Sequence, residues 1–342
     1  MKRGRKSFAL QHIVFAFVIR VMNKKSELES DADIMNAFAA VFRTARIPSG
    51  PSVTRRIRSQ AAVTLLERLI RTTGLAARDL SDGIVYADGA EFNAPNRDAY
   101  DPDLPQNEQK TEPSAKKRRT PKIPIEATVK QSVYRERRLL RATMTVKLHP
   151  LIHHATKLII AAIVTTGKSS DSKHAVPLLK NAQQDHTIKE FIADKGYSGA
   201  PILQYCEDNN ILPVIPPKEN YVADEDGPIV ARYTARWRAE GSPLPDKYGL
   251  RNNAEGSHSA IKRMQYEDLR SRSFLAQQAE VLSMVLLRNL RRLVYLYVVD
   301  GVEIPWLDQR CRDILDPVRD KLKSSPNVDK TPRFHDNPDR AA

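Results

Sequence analysis

Residues 248–262 read YGLRNNAEGSHSAIK. At about 100° per residue, Tyr248, Arg251, Glu255 and Lys262 fall within about 60° of one another on an α-helix. Ala254, Ile261 and Met264 gather on roughly the opposite side, so the stretch predicts a helix with one dry and one charged face. Arg251 and Glu255 form an i,i+4 pair that supports a helix by itself. Tyr248 and the distant Lys262 add nothing to helix stability. Their placement suits something outside the helix, such as a chain of phosphates.

Tyr, two residues, Arg, three residues, Glu, six residues, Lys is the spacing of the YREK motif, and the stretch resembles the DDE transposases of bacterial insertion sequences. That resemblance implies that Glu255 is the third metal-binding carboxylate and that Tyr248, Arg251 and Lys262 contact the phosphates of the transposon end. It also implies two aspartates upstream, each ending a hydrophobic strand. The run IVYA at 84–87 leads into Asp88 and Gly89, and IKEFIA at 188–193 leads into Asp194 and a Lys-Gly-Tyr turn. Glu91 is the neighbour most easily mistaken for Asp88. Asp171 is the main competitor for the second carboxylate, but it opens a helix where Asp194 closes a strand.

The order of elements is a strand with Asp, a hairpin, a helix, a strand with Asp, an insertion, and a helix with Glu. It predicts an α/β fold, a ribonuclease H-like mixed sheet flanked by helices, with an N-terminal helical region and insertions. The hairpin is read from ATMTVKLHPLIH and ATKLIIAAIVTT, joined around His153 and His154. Those histidines have no further ligand at zinc spacing. The following helix opens near Asp171.

Three regions follow. Residues 1–80 are helical, with PSVTRRIRSQAAVTLLERLIRTTG expected as one helix capped by Ser52 and stopped by Gly74. This region is either a lid on the core or a DNA-end-binding module using Arg55, Arg56 and Arg58. Residues 81–300 hold the catalytic domain, with a basic insertion at 93–138 and a second insertion at 218–247. Residues 301–342 are expected to be a largely disordered tail. Within 109–138 there are ten Lys/Arg against three Asp/Glu, including Lys116, Lys117, Arg118 and Arg119, a run suited to tracking a DNA backbone or to plain solvation. Trp237 in the second insertion either anchors that insertion or, as in some relatives, holds a flipped base.

Composition agrees with this reading without deciding it. The chain has 342 residues, is 41% hydrophobic and carries a formal net charge of +14, which favours an anionic partner. Cys206 and Cys311 lie far apart and form no CxxC, which argues against a disulfide or zinc framework and fits a reducing compartment. The apolar run FALQHIVFAFVIRV at 8–21 contains Gln11, His12 and Arg20 and is expected to be a core helix, neither signal peptide nor membrane span.

The function implied is a transposase that cleaves and joins DNA at insertion-sequence ends. Asp88, Asp194 and Glu255 would hold two Mg²⁺ (or Mn²⁺) ions, since hard cations need only oxygen ligands. The partners implied are double-stranded DNA, as inverted-repeat ends and as target, and a second copy of the chain in the DNA complex. No membrane is involved, and the location is cytoplasmic, at the nucleoid. Two alternatives stay open: a ribonuclease H-like nuclease that cuts without joining, and a domesticated, catalytically inactive DNA-binding protein.

Overall fold

The computed structural model describes residues 8–23, 36–37, 40–42, 47–94, 145–167, 169–218, 227–251 and 268–324. Among these, the N-terminal region forms α1 (Leu10–Asn23), α2 (Gly50–Ile57) and α3 (Gln60–Gly74). The expected single helix over the second half of this region is two, because Ser59 breaks it. Ser59 is extended (φ −139°, ψ 143°) and its hydroxyl accepts from Ala62 N, which makes it the cap of α3. The 8–21 run is indeed a packed helix, with Ile13, Val14, Phe17 and Val21 buried. No helix among the described residues is long and apolar enough to cross a membrane.

The sheet contains β1 (Ile84–Ala87), β2 (Ala90–Asn93), β3 (Thr145–His153), β4 (Ile159–Thr166), β5 (Glu190–Ala193) and β6 (Leu212–Val214). β1 and β2 both run antiparallel to β3 in one continuous register, Val85 opposite His153 and Ala90 opposite Leu148. They are one bent strand interrupted at Asp88 and Gly89. The cause lies across the ladder. His154 N donates to Ile84 O at 3.0 Å, so alternate residues of β3 point their N–H toward β1. Continuing that alternation, Pro150 faces Asp88, and proline has no N–H to give.

β4 pairs antiparallel with the far side of β3, while β5 pairs parallel with β1 and β6 parallel with β5. Counting β1 and β2 as one strand, the order is third, second, first, fourth, fifth, with the first three antiparallel and the last two parallel to the first. This is the ribonuclease H-like arrangement. It is an α/β fold with helices on both faces: α4 (Ser172–Ala182), α5 (Ala200–Asp208), α6 (Pro228–Arg238), α7 (Leu244–Tyr248), α8 (Phe274–Val298) and α9 (Gln309–Ser324).

Alternation along the strands divides the core in two. Tyr86, Phe92, Leu148, Ile152 and Ile192 pack with α1, α3 and α8. Val85, Ala87, Leu151, Phe191 and Ala193 pack with α4 and α5. Residues from 301 were expected to be largely disordered, yet α9 runs through Pro317. Arg312 and Arg319 both reach Glu303 and lie over the Tyr297 ring of α8, which gives this charged helix a docking point.

Both sheet edges are closed by side chains. At β4, Asn289 of α8 accepts from Ile159 N (2.9 Å), donates to Ile159 O (2.7 Å) and donates to Thr73 Oγ1 (3.0 Å), so one amide acts as a neighbouring strand would. Gln278 of α8 adds a bond to Val164 O at 2.7 Å. At β6, the Tyr233 hydroxyl of α6 accepts from Ile215 N at 2.8 Å, and it lies 2.9 Å from Ile215 O. Asn289→Leu keeps the volume but orphans two buried backbone groups, and should cost about 2–5 kcal/mol in urea unfolding. A loss below about 0.5 kcal/mol would show that Ile159 finds other partners.

Behind β1, His153 is 1% exposed, with Nδ1 2.9 Å from Thr156 Oγ1 and Nε2 3.1 Å from Ser81 Oγ. Burial drives its pKa down to about 4; Asp82 opposes this, while His186, His154 and Lys157 reinforce it. Burial likewise lowers His186. A histidine kept neutral when folded but free to protonate when unfolded removes stability as pH falls from 6.5 to about 4. The expected loss for His153 is about 3 kcal/mol across that window. It should be absent in His153→Gln, as measured by chemical unfolding at each pH.

Candidate functional site

Asp88 and Asp194 each follow the last residue of a strand. β1 and β5 are adjacent and parallel, and their last residues, Ala87 and Ala193, are register partners. The two aspartates therefore leave neighbouring strand ends at the same level, about 4.8 Å of strand spacing apart. By alternation, Asp88 shares the face of Tyr86 and Ala90, and Asp194 that of Ile192. All three neighbours belong to the same core layer.

Each aspartate is fixed by its own turn. Asp88 Oδ1 accepts from Gly89 N at 2.9 Å, and Asp194 Oδ1 accepts from Lys195 N at 2.6 Å. The Lys-Gly-Tyr turn after Asp194 is a short 3₁₀ helix, Lys195–Tyr197, held down by Tyr197, which is 1% exposed and meets Phe191 edge-on at 6.2 Å. Both carboxylates are half-buried. Oxygen donors of this kind suit a hard divalent cation. Among the described residues, no three His, Cys, Asp or Glu side chains converge into a metal cage. Glu91 is in β2 and exposed, opposite Lys147.

The motif stretch departs from one regular α-helix. Tyr248 ends α7, and residues Gly249–Arg251 form a 3₁₀ turn, so the even 100° spacing does not run through Gly249. Tyr248 and Leu250 pack on the same core layer that Asp88 and Asp194 border. The Arg251 side chain, Glu255 and Lys262 lie outside the described residues, as do Lys116, Lys117, Arg118 and Arg119.

Both ends of the motif stretch are tied to the sheet. On the entering side, Lys247 is ion-paired with Glu190 of β5. On the leaving side, Leu269 N donates to Asn93 O (2.8 Å) and Asn93 Nδ2 donates to Asp268 Oδ1 (2.7 Å), beside the end of β2. Glu280 of α8, 2% exposed, accepts from Arg270 N (3.0 Å) and Ser271 N (2.8 Å). Trp237 meets Tyr248 edge-on at 6.1 Å and lies 6.3 Å from the Tyr233 ring, so it ties α6 to the start of the motif stretch.

Asp171 precedes α4 and lies behind the turns that follow the two aspartates. Its Oδ2 is 2.7 Å from Lys147 Nζ, and its Oδ1 is 2.8 Å from His149 Nδ1. Burial alone would raise its pKa, but the bonds from His149 and Lys147 outweigh it and hold the carboxyl below the usual range. The sequence carries a signal for this group. Lys147 and His149 are polar residues two apart on a largely apolar strand, and so they share one face.

The sequence profile of the Transposase DDE domain matches residues 115–290, just over half of the chain. No curated protein sequence matches. Among solved structures, the chain is similar to a piggyBac transposase synaptic complex with hairpin DNA, at 12% identity and TM-score 0.41, covering 97% of this chain and 78% of that one. It is also similar to a Mos1 transposase paired-end complex with left transposon end (10% identity, TM-score 0.22, 85% and 81% covered). A pre-cleavage Mos1 transpososome gives 12% identity and TM-score 0.22. The strand order, not these overall superpositions, carries the fold. With the profile spanning β3 to most of α8, the chain belongs to the Transposase DDE domain family.

Proposed function

We propose that the chain is an insertion-sequence transposase that cuts DNA at the element's ends and joins the released 3′-hydroxyl to a target. Asp88, Asp194 and Glu255 are the proposed catalytic carboxylates. The observation that carries this reading is the register of β1 and β5, which brings Asp88 and Asp194 to neighbouring strand ends on the face where Tyr248 packs. When bound, Mg²⁺ or Mn²⁺ ions at these carboxylates would activate the attacking oxygen and stabilise the leaving one.

The chain's own contribution is alignment. Asp88 and Asp194 are held by their turn amides, so their spacing is set before DNA arrives. Tyr248, Arg251 and Lys262 are the proposed contacts to the phosphates of the transposon end, and Lys116 to Arg119 add a basic run for the backbone. The partners proposed are double-stranded DNA ends, target DNA and a second copy of the chain, in the cytoplasm at the nucleoid.

Asp88→Asn, Asp194→Asn and Glu255→Gln should each abolish end cleavage and strand transfer while sparing end binding. The amide keeps the shape and loses the charge. A double variant should be scarcely worse than a single one, because the ligands act as a unit. The measurement is release of a 3′-hydroxyl and its joining to a second DNA. Robust cleavage by Glu255→Gln would overturn the three-carboxylate reading, and cutting without joining by the wild type would favour a nuclease.

DNA affinity should fall steeply with salt, since a chain of net charge +14 displaces many counterions from the backbone. A flat dependence in fluorescence anisotropy titrations at rising salt would remove the nucleic-acid reading.

A further inference from the structure

An aspartate just before a helix ordinarily caps it, accepting an N–H of the first turn and adding about 1 kcal/mol of stability. Asp171 does not cap α4: it has φ −58° and ψ −39°, and its side chain makes no such bond. Its carboxylate turns back to β3 instead, onto Lys147 and His149, whose side chains are 15% and 0% exposed. Burying such a pair brings little net stability once desolvation is counted. Stability therefore does not account for the arrangement.

Its position does. A Cβ on residue 89 would lie 2.9 Å from Asp171 Oδ1 and 2.6 Å from Lys147 Cε, and a Cβ on residue 196 would lie 4.0 Å from Asp171 Oδ2. The carboxylate packs closely under the turn at residue 89, where the missing Cβ leaves it room, and lies near the turn at residue 196. Gly89 directly follows Asp88, and Gly196 follows Asp194 by two. By alternation, Gly89 and Lys147 face the α4 side of the sheet, whereas Asp88 faces the other. Asp171 thus lies behind the first turn and close to the second.

We propose that Asp171, held by Lys147 and His149, is a positioning residue that forms the floor beneath the turns carrying Asp88 and Asp194 and fixes the spacing of their carboxylates. This rests on the reading of those two aspartates as metal ligands. A group that orients metal ligands without touching the metal characteristically changes affinity or activity by about 10–100-fold when removed.

The test uses the full chain without DNA and follows Mn²⁺ binding by the electron paramagnetic resonance signal of the free ion, alongside thermal unfolding. Asp171→Asn should weaken Mn²⁺ binding by about 10–100-fold. Lys147→Met is the discriminating variant. It removes a positive charge, so a purely electrostatic effect would tighten Mn²⁺ binding. If Lys147 holds the floor in place, Asp171 is released toward its own helix and binding weakens in a protein that remains folded at the temperature of the titration.

Tighter or unchanged binding in Lys147→Met overturns the proposal, as does unchanged binding in a folded Asp171→Asn. Asp88→Asn separates the two readings: if it binds Mn²⁺ as the wild type does, the assignment of the metal site has failed. If it does not bind while both floor variants match the wild type, only the floor has failed.

Discussion

The parallel pairing of β1 with β5 is the constraint on which the candidate site depends. A parallel ladder fixes the level at which two strands end, and here the partners are the last residues, Ala87 and Ala193. A slip of one residue would send one of the following aspartates to the other face of the sheet. The pairing is secured from both sides. Val85, Ala87, Phe191 and Ala193 are sealed under α4 and α5, while Tyr86 and Ile192 are sealed under the other helical layer. Two carboxylates on neighbouring ends repel, so the core must supply what the site itself does not.

A sheet that exposes such a rim cannot also leave its edges open, because unpaired edges recruit other strands. α8 closes one edge with Asn289 and Gln278, and α6 closes the other with Tyr233. These helices have a second task. α8 carries Glu280, which receives the chain as it leaves the motif stretch, and α6 carries Trp237, which meets Tyr248 as the chain enters it. The elements that protect the sheet are thus the ones that fix the motif against it. Arg292 of α8 extends the same logic to the β3–β4 turn through Thr156 O at 2.8 Å.

Much of this was legible in the chain. The strand IVYA, the hairpin, the strand before Asp194 and the long apolar helix follow from hydrophobic pattern, because burial of one or both faces dictates residue type. The YREK spacing and the two strand-end aspartates pointed to the family. Other features were not local. Ser59 splits a helix whose apolar period runs through it, and α9 forms across Pro317 because Tyr297 and Glu303 lie waiting on the preceding segment.

The sequence by itself determined which residues could be strand, helix and ligand, since those follow from period, turn chemistry and the donor types a hard cation accepts. Only the tertiary structure decided what stands opposite what. Pro150 reads as an anomaly inside a strand until the register sets it across from Asp88, where its missing N–H opens the ladder. Asp171 reads as a helix cap until the fold brings Lys147 and His149 beneath it. Both depend on residues tens of positions apart, and only the packed sheet brings them into contact.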